Sequence, residues 1–286
     1  MSNCRSVAEV TGLFVYPVKS MRGIAVDSAR LTAVGLEHDR RFMVVRSNGD
    51  FVTQRNQPLL SQIDTALEPG GIILSRPGFG QVLVPFDAEG GKVLQTRVWK
   101  DECSVSDEGE AVSRWLTEAL ESPDRLLLVA MQKGFVRPQG KADMLGEDTR
   151  TLFADAAPYL VANEASLAKL NRELRSRDHQ AVPMNRFRPN ILVKGLGPFA
   201  EHDLASLAGD SFTLRLAHAC ERCVVTTIDQ STGVKNPDWE PYKTLSTINP
   251  MPGRPNKPAF GHNAILESGE NHRISLGNKL KILEID

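Results

Sequence analysis

The chain has 286 residues, 41% of them hydrophobic, and a formal net charge of −1, enough for one large core or two smaller ones. This balance lacks the basic excess of a nucleic-acid binder, and no apolar run approaches the length that spans a bilayer. Four cysteines (Cys4, Cys103, Cys220 and Cys223) are too few for a disulfide scaffold. The start Met1-Ser2-Asn3-Cys4-Arg5-Ser6 lacks the apolar stretch of a signal peptide, so a soluble, cytoplasmic protein with no membrane or nucleic-acid partner is expected.

Strand signals dominate the first third. Val10 to Val18 is a β-rich run that stops near Pro17, and Ala29 to Val34 alternates roughly with period two. Arg41 to Arg46 and Phe51 to Gln54 flank an Asn48-Gly49 turn, a strong hairpin signal. Ile72 to Ser75 and Gln81 to Pro85 predict a second hairpin across Pro77-Gly78, and Lys92 to Trp99 another strand. Glu110 to Leu120 has helical spacing and ends before Pro123; a second helix follows Asn163, a plausible N-cap, with Leu167, Leu170 and Leu174 on one face. Strands return at Ile191 to Val193, Ser211 to Leu216, Val224 to Ile228, Asn263 to Leu266 and Lys279 to Ile285. Many short strands with Gly/Pro turns argue for barrels or sandwiches rather than βαβ units. Met131 to Asp148 reads as a linker or mobile loop, giving domains 1–125 and 126–286, and the proline-rich Asn249 to Pro258 reads as a surface loop.

Chemistry concentrates at Ala219-Cys220-Glu221-Arg222-Cys223. A cation beside a cysteine favours the thiolate, the form that attacks electrophiles and binds metals. Two buried structural thiols, a dithiol redox couple or a soft ligand to a transition metal all fit the pair, and the metal or metal-cofactor ligand is favoured. A zinc site would want four ligands, and no second cysteine pair exists. Basic residues stand at strand ends in Tyr16-Pro17-Val18-Lys19-Ser20, in His38-Asp39-Arg40-Arg41, at Arg55 and in Asn185-Arg186-Phe187-Arg188-Pro189-Asn190. Each cluster alone is an ordinary solvated charge group; together, in a near-neutral protein, they point to one anionic ligand, because guanidinium grips phosphate or an oxo group in bidentate fashion.

In order along the chain, Tyr16-Pro17-Val18-Lys19-Ser20, Asp39-Arg40-Arg41-Phe42, Thr53-Gln54-Arg55-Asn56-Gln57-Pro58, Asn163-Glu164-Ala165-Ser166-Leu167, Phe187-Arg188-Pro189-Asn190-Ile191 and Cys220-Glu221-Arg222-Cys223 with Thr226-Thr227-Ile228-Asp229-Gln230-Ser231-Thr232-Gly233 resemble the MOSC proteins. These are relatives of the C-terminal domain of molybdenum cofactor sulfurase. The resemblance is nearest to members with an N-terminal MOSC β-barrel domain, such as the mitochondrial amidoxime-reducing component and its bacterial counterparts. It implies a mainly β (α+β) chain, an N-terminal β-barrel-like domain followed by a MOSC β-barrel with a few helices. It also implies a molybdenum-molybdopterin cofactor. Cys223 would be the metal ligand and catalytic centre, with Cys220 as the alternative ligand and a cofactor contact. Lys19, Ser20, Arg40 and Arg188 would hold the cofactor's anionic tail, with Arg55, Asn190 and Asn263 as further cofactor contacts. Glu221 stands where a small polar residue is common in animal members.

The implied reaction reduces small N-hydroxylated substrates (hydroxylamines, amidoximes, N-hydroxylated bases) to amines. Protons would come from water, His262 or Asp229. The chain lacks the cysteine spacing of a ferredoxin domain, so electrons would come from a separate donor, a ferredoxin or a flavoprotein reductase. The alternative is a carrier that holds the cofactor, or sulfur as a Cys223 persulfide, without redox turnover.

Overall fold

Val7–Val15 buries Ala8 and Val10, then Leu13 and Val15. The inward phase slips once because a β-bulge lies between Val10 and Gly12. In the computed structural model, which describes residues 7–87, 91–135, 137 and 142–285, this strand helps close a barrel with residues far along the chain. The hydrogen-bonded ring runs Tyr159–Asn163, Ile191–Lys194, Val7–Val15, Lys279–Glu284, Leu204–Ala208, Thr213–Glu221 and Arg254–Ser268. It returns to Tyr159–Asn163 through the register Tyr159↔Ala264 and Val161↔His262. Its interior is an apolar cluster that includes Val10, Leu31, Tyr159, Val161, Ile191, Leu214 and Leu280. Cys4 lies outside the described residues.

The N-terminal half is barrel-like. Phe42–Arg46, Leu126–Met131, Asp101–Asp107 and Val93–Val98 form one sheet, and Asp64–Glu68, Gly71–Arg76 and Gly80–Pro85 form a meander. Helix Glu110–Ala119 packs over them, and Val18, Phe42, Ile72, Leu74, Val84, Leu116 and Leu128 share one core. Leu126–Met131 follows the expected boundary at 125/126 yet bonds into this sheet, opposite Phe42–Arg46. It is an unbroken apolar run because both its faces are covered: Leu126 and Leu128 enter one core, Leu127 and Val129 another.

Four local readings differ from expectation. Phe51 makes only an isolated bridge to Val45, and no strand runs on to Gln54. Tyr159–Asn163, helix Glu164–Ser176 and Ile191–Lys194 make a βαβ unit, its two strands parallel; the Asn163 side chain caps the helix by accepting from the Ala165 N–H at 3.1 Å. Val224–Thr227 is a 3₁₀ turn, not a strand. Its hydroxyls satisfy local carbonyls, Thr226 Oγ1 donating to Cys223 O and Thr227 Oγ1 to Val224 O, which competes with a ladder. The proline-rich segment is an exposed hairpin, Pro250–Met251 against the start of Arg254–Ser268, tolerated because an edge strand leaves proline's missing N–H without consequence. Within the expected linker, Ala142–Leu145 forms one helical turn, while Val136 and 138–141 lie outside the described residues.

The halves meet where Val7–Val15 leaves the barrel. Val18 bridges to Phe42, the Lys19 N–H donates to Phe42 O at 2.8 Å and the Arg40 N–H to Tyr16 O at 2.7 Å. Buried Gln54 and Gln230 exchange reciprocal amide hydrogen bonds at 2.9 Å across the same seam.

Barrel closure depends on Gly261, whose φ is +72° and whose added Cβ would stand 2.7 Å from Val161 O. Gly261→Ala should therefore lower stability by about 2–4 kcal/mol in equilibrium urea unfolding. A loss well under 1 kcal/mol would mean the closure tolerates the side chain.

Candidate functional site

A cavity of about 410 Å³ opens at the seam. Lys19, Ser20, Arg40, Arg55, Arg188, Asn190, Cys220, Cys223 and Asn263 all line it, so every residue expected to hold the cofactor or its metal reaches one space. Six basic side chains line the wall, the four expected ones with Arg222 and Arg254, against two carboxylates, Asp155 and Glu221. A near-neutral chain thus concentrates positive charge here.

Each cation is held by its neighbours. Lys19 is buried and donates to Phe153 O at 2.8 Å and Asp155 Oδ1 at 2.5 Å. Burial draws the Lys19 ammonium below its ordinary range, partly offset by Asp155. Burial would raise the Asp155 carboxyl, but Lys19 outweighs it and holds that group below the usual carboxylate range. Arg40 pairs with buried Asp39 at 2.5 Å and donates to Arg188 O at 3.1 Å. Arg188 donates to Met21 O, and burial brings its guanidinium down to about 10. The Arg40 and Arg188 guanidinium carbons each lie 4.3 Å from the Tyr16 ring centroid, cation–π contacts that soften the crowding of like charges. Arg188 Nη2 and Arg222 Nε are buried without a hydrogen-bond partner. An unmet guanidinium donor beside a cavity is a ready site for an anion. Ser20, Arg40 and Arg188 have φ of +70°, +45° and +52°. Left-handed backbone costs about 1–2 kcal/mol for a residue with a Cβ, and such strain collects at functional sites.

The thiols sit on the barrel side. Cys220 lies near the end of Thr213–Glu221, and Cys223 precedes the 3₁₀ turn at its N-cap position. Each has its own arginine: Arg222 Nη1 donates to Cys220 Sγ at 2.9 Å and Arg55 Nη2 to Cys223 Sγ at 3.0 Å. Arg222 also donates to Phe187 O at 2.8 Å, and its N–H to Pro258 O, tying the pair to the exposed hairpin. Glu221 pairs with Arg254 from that hairpin. Cys103 is packed in a core cluster, away from this wall. Two soft sulfurs on one wall and, on the other, Lys19, Arg40 and the unmatched Arg188 Nη2 suit a ligand with a soft metal at one end and an anion at the other.

Sequence reading missed Asp155 and Trp99. Asp155 follows an unpatterned stretch, and Trp99 ended a strand. Trp99 Nε1 donates to Asp155 Oδ1 at 3.0 Å, and the Arg55 guanidinium lies 4.8 Å from the Trp99 ring centroid. Asn190 reaches the wall, but its side chain is engaged by backbone, accepting from Leu160 N–H and donating to Phe14 O, each at 3.2 Å. The two expected proton sources do not line the cavity. Asp229 caps the turn at Ser231 and Thr232 and pairs with Arg186 at 2.6 Å. His262 is buried, its Nδ1 3.2 Å from His202 Nδ1, and burial, with His202 and His218 nearby, pushes it down to about 3.

Because the folded His262 binds its proton more weakly than the unfolded chain's histidine, whose ordinary value is 6.5, the unfolded state takes up more protons at acid pH. Stability is then fully present above that value and falls as pH drops from it toward 3, with His202 shifted in the same direction. Urea unfolding at about pH 5.5 should give a stability lower by about 1 kcal/mol or more than at about pH 7.5, and His262→Asn should flatten the difference. A slope of opposite sign would contradict the burial argument.

The MOSC N-terminal beta barrel domain matches residues 7–123 and the MOSC domain residues 148–281. The chain is 33% identical over 275 residues to mitochondrial amidoxime-reducing component 1 of Homo sapiens, covering 92% of this chain and 80% of that protein. It is 32% identical over 251 residues to mitochondrial amidoxime reducing component 2 of Bos taurus, covering 85% and 73%. Against mitochondrial amidoxime-reducing component 1 of Danio rerio it is 32% identical over 247 residues, covering 84% and 74%. With two thirds or more of each relative spanned at this identity, the chain belongs to the MOSC family, its N-terminal MOSC β-barrel domain preceding the MOSC domain.

Proposed function

We propose that the protein is a molybdenum-cofactor-dependent oxidoreductase that reduces N-hydroxylated compounds to amines, taking electrons from a separate ferredoxin or flavoprotein reductase. The observation that carries this reading is the meeting of two thiols and six cations, against two carboxylates, in one cavity. The names of the similar proteins, amidoxime-reducing components, support the substrate class.

The overall change, R–NHOH + 2e⁻ + 2H⁺ → R–NH₂ + H₂O, balances without a further reactant. When bound, the cofactor supplies the two-electron couple for loss of the hydroxyl oxygen. The chain's residues do the rest. Lys19, Arg40 and Arg188 would hold the anionic tail, for which the unpartnered Arg188 Nη2 has a free donor. Cys223 would present its sulfur to the metal, and Arg55, donating to that sulfur from the N-terminal half, would orient it. Asp39 keeps Arg40 in place and Asp155 does so for Lys19. Since His262 and Asp229 lie outside the cavity lining, water is the one of the three expected proton sources that has access to the nitrogen.

The test is expression in a cofactor-competent host, followed by molybdenum analysis and assay of hydroxylamine and amidoxime reduction with a chemical donor. Cys223→Ser should lose the metal and all turnover, and Arg188→Gln should retain several-fold less cofactor with the fold intact. Cys220→Ser should keep the metal. Parent protein that carries no molybdenum and reduces nothing would defeat the proposal; a stable extra sulfur on Cys223 in such protein, seen by mass spectrometry, would point instead to a sulfur carrier.

A further inference from the structure

Beyond the wall made by Arg55 and Trp99 lies a second pocket of about 320 Å³, open to the surface. Thr53, Arg55 and Trp99 line both spaces; Phe51, Asp50 and Arg46 belong to the outer one. The two pockets are therefore neighbours with a common partition, the outer and the inner pocket.

Trp99 is expensive where it stands. It is the first residue of the two-residue turn between Val93–Val98 and Asp101–Asp107, and its φ is +60°. Glycine, asparagine or aspartate normally fills such a position. The indole is also 46% exposed, so burial in a core does not offset the strain. Backbone strain of this kind collects at binding and catalytic sites, and Trp99 stands on the wall of two pockets. The ring is nonetheless fixed: Asp155 accepts from Nε1 at 3.0 Å, and Phe51 meets it edge-on at 5.4 Å and 72°.

The charged groups of the outer pocket already have partners. Arg46 Nε donates to Asp124 at 3.3 Å, Asp50 Oδ2 accepts from Asn48 at 2.8 Å and Arg55 donates to Cys223. Besides the Thr53 hydroxyl and the Asn56 amide, what remains to recognise a ligand is flat aromatic surface, and the Trp99 ring already accepts a planar delocalised group, the Arg55 guanidinium.

We propose that the outer pocket is the substrate-docking chamber, in which Trp99 and Phe51 take the flat aromatic body of an N-hydroxylated substrate while its N–OH end passes Thr53 and Arg55 toward Cys223. This rests on the reductase reading of the inner cavity and adds a preference among its substrates: planar, conjugated N-hydroxyamidines over puckered aliphatic ones of equal size.

The test compares benzamidoxime with cyclohexanecarboxamidoxime on the cofactor-loaded protein. The two share a reactive head and differ in the planarity of the body. KM should favour the aromatic compound by about tenfold, the scale of one aromatic contact. Trp99→Ala should collapse that ratio to about twofold or less by raising KM for the aromatic substrate more than it lowers kcat; Trp99→Phe, which keeps a ring and guards against a folding artefact, should retain most of it. An unchanged ratio in Trp99→Ala overturns the proposal. Calorimetric titration with the reduced product benzamidine reads the same site without turnover. Weaker binding to Trp99→Ala than to the parent supports the docking chamber even if neither substrate is reduced, in which case the reductase reading alone falls. Equal binding to both sinks the chamber.

Discussion

Two guanidinium groups, Arg40 and Arg188, lie over one buried tyrosine ring, and the architecture of the site follows from the need to hold them there. Bringing like charges out of water is costly unless they are paired and hydrogen-bonded. The chain answers with buried Asp39 against Arg40, the Tyr16 π-face, and backbone carbonyls at Met21 and Arg188. The compensation is incomplete: one Arg188 nitrogen stays unmatched, and burial brings that guanidinium down to about 10. A pocket whose cations are positioned but not neutralised is preorganised for an anion, since the ordering is complete before the ligand arrives.

That arrangement requires both halves of the molecule. Val7–Val15 is a barrel strand, yet the residues directly after it, Lys19 and Ser20, belong to the seam with the N-terminal sheets. Arg188 arrives from the connection of the βαβ unit and reaches Met21. Arg55 crosses from the N-terminal half to Cys223, and Gln54 beside it is locked to Gln230. Neither half alone would assemble the cavity. The left-handed backbone at Ser20, Arg40 and Arg188 is the local strain of turning the chain sharply at this junction, sustained by the two cores on either side.

The barrel wall treats its two thiols alike, giving each a guanidinium donor, but from different sources. Cys220 is served by Arg222, two residues away, within the barrel; Cys223 is served by Arg55, from the other half. The second contact couples the sulfur to Trp99 and, through Asp155, to Lys19. A continuous chain of polar and π contacts thus links the anion-holding end of the cavity to its thiol end.

The sequence by itself determined the element types with strong periodicity and the chemistry of the site. The Asn48-Gly49 turn, the Pro77-Gly78 hairpin and the Asn163-capped helix are encoded by neighbours a few residues apart, and the basic clusters and Cys220/Cys223 are legible as residue types. The tertiary structure decided everything that depends on partners distant along the chain. Leu126–Met131 could not be told from any buried apolar run until two cores covered it. Val224–Thr227 has β-branched residues, but its hydroxyls bond locally and it becomes a turn. Asp155 and Trp99 carry no pattern of their own; they matter because folding sets Lys19 and Arg55 against them. Periodicity and capping act over one or two turns of chain, whereas burial and charge compensation are properties of the space that the folded halves enclose together.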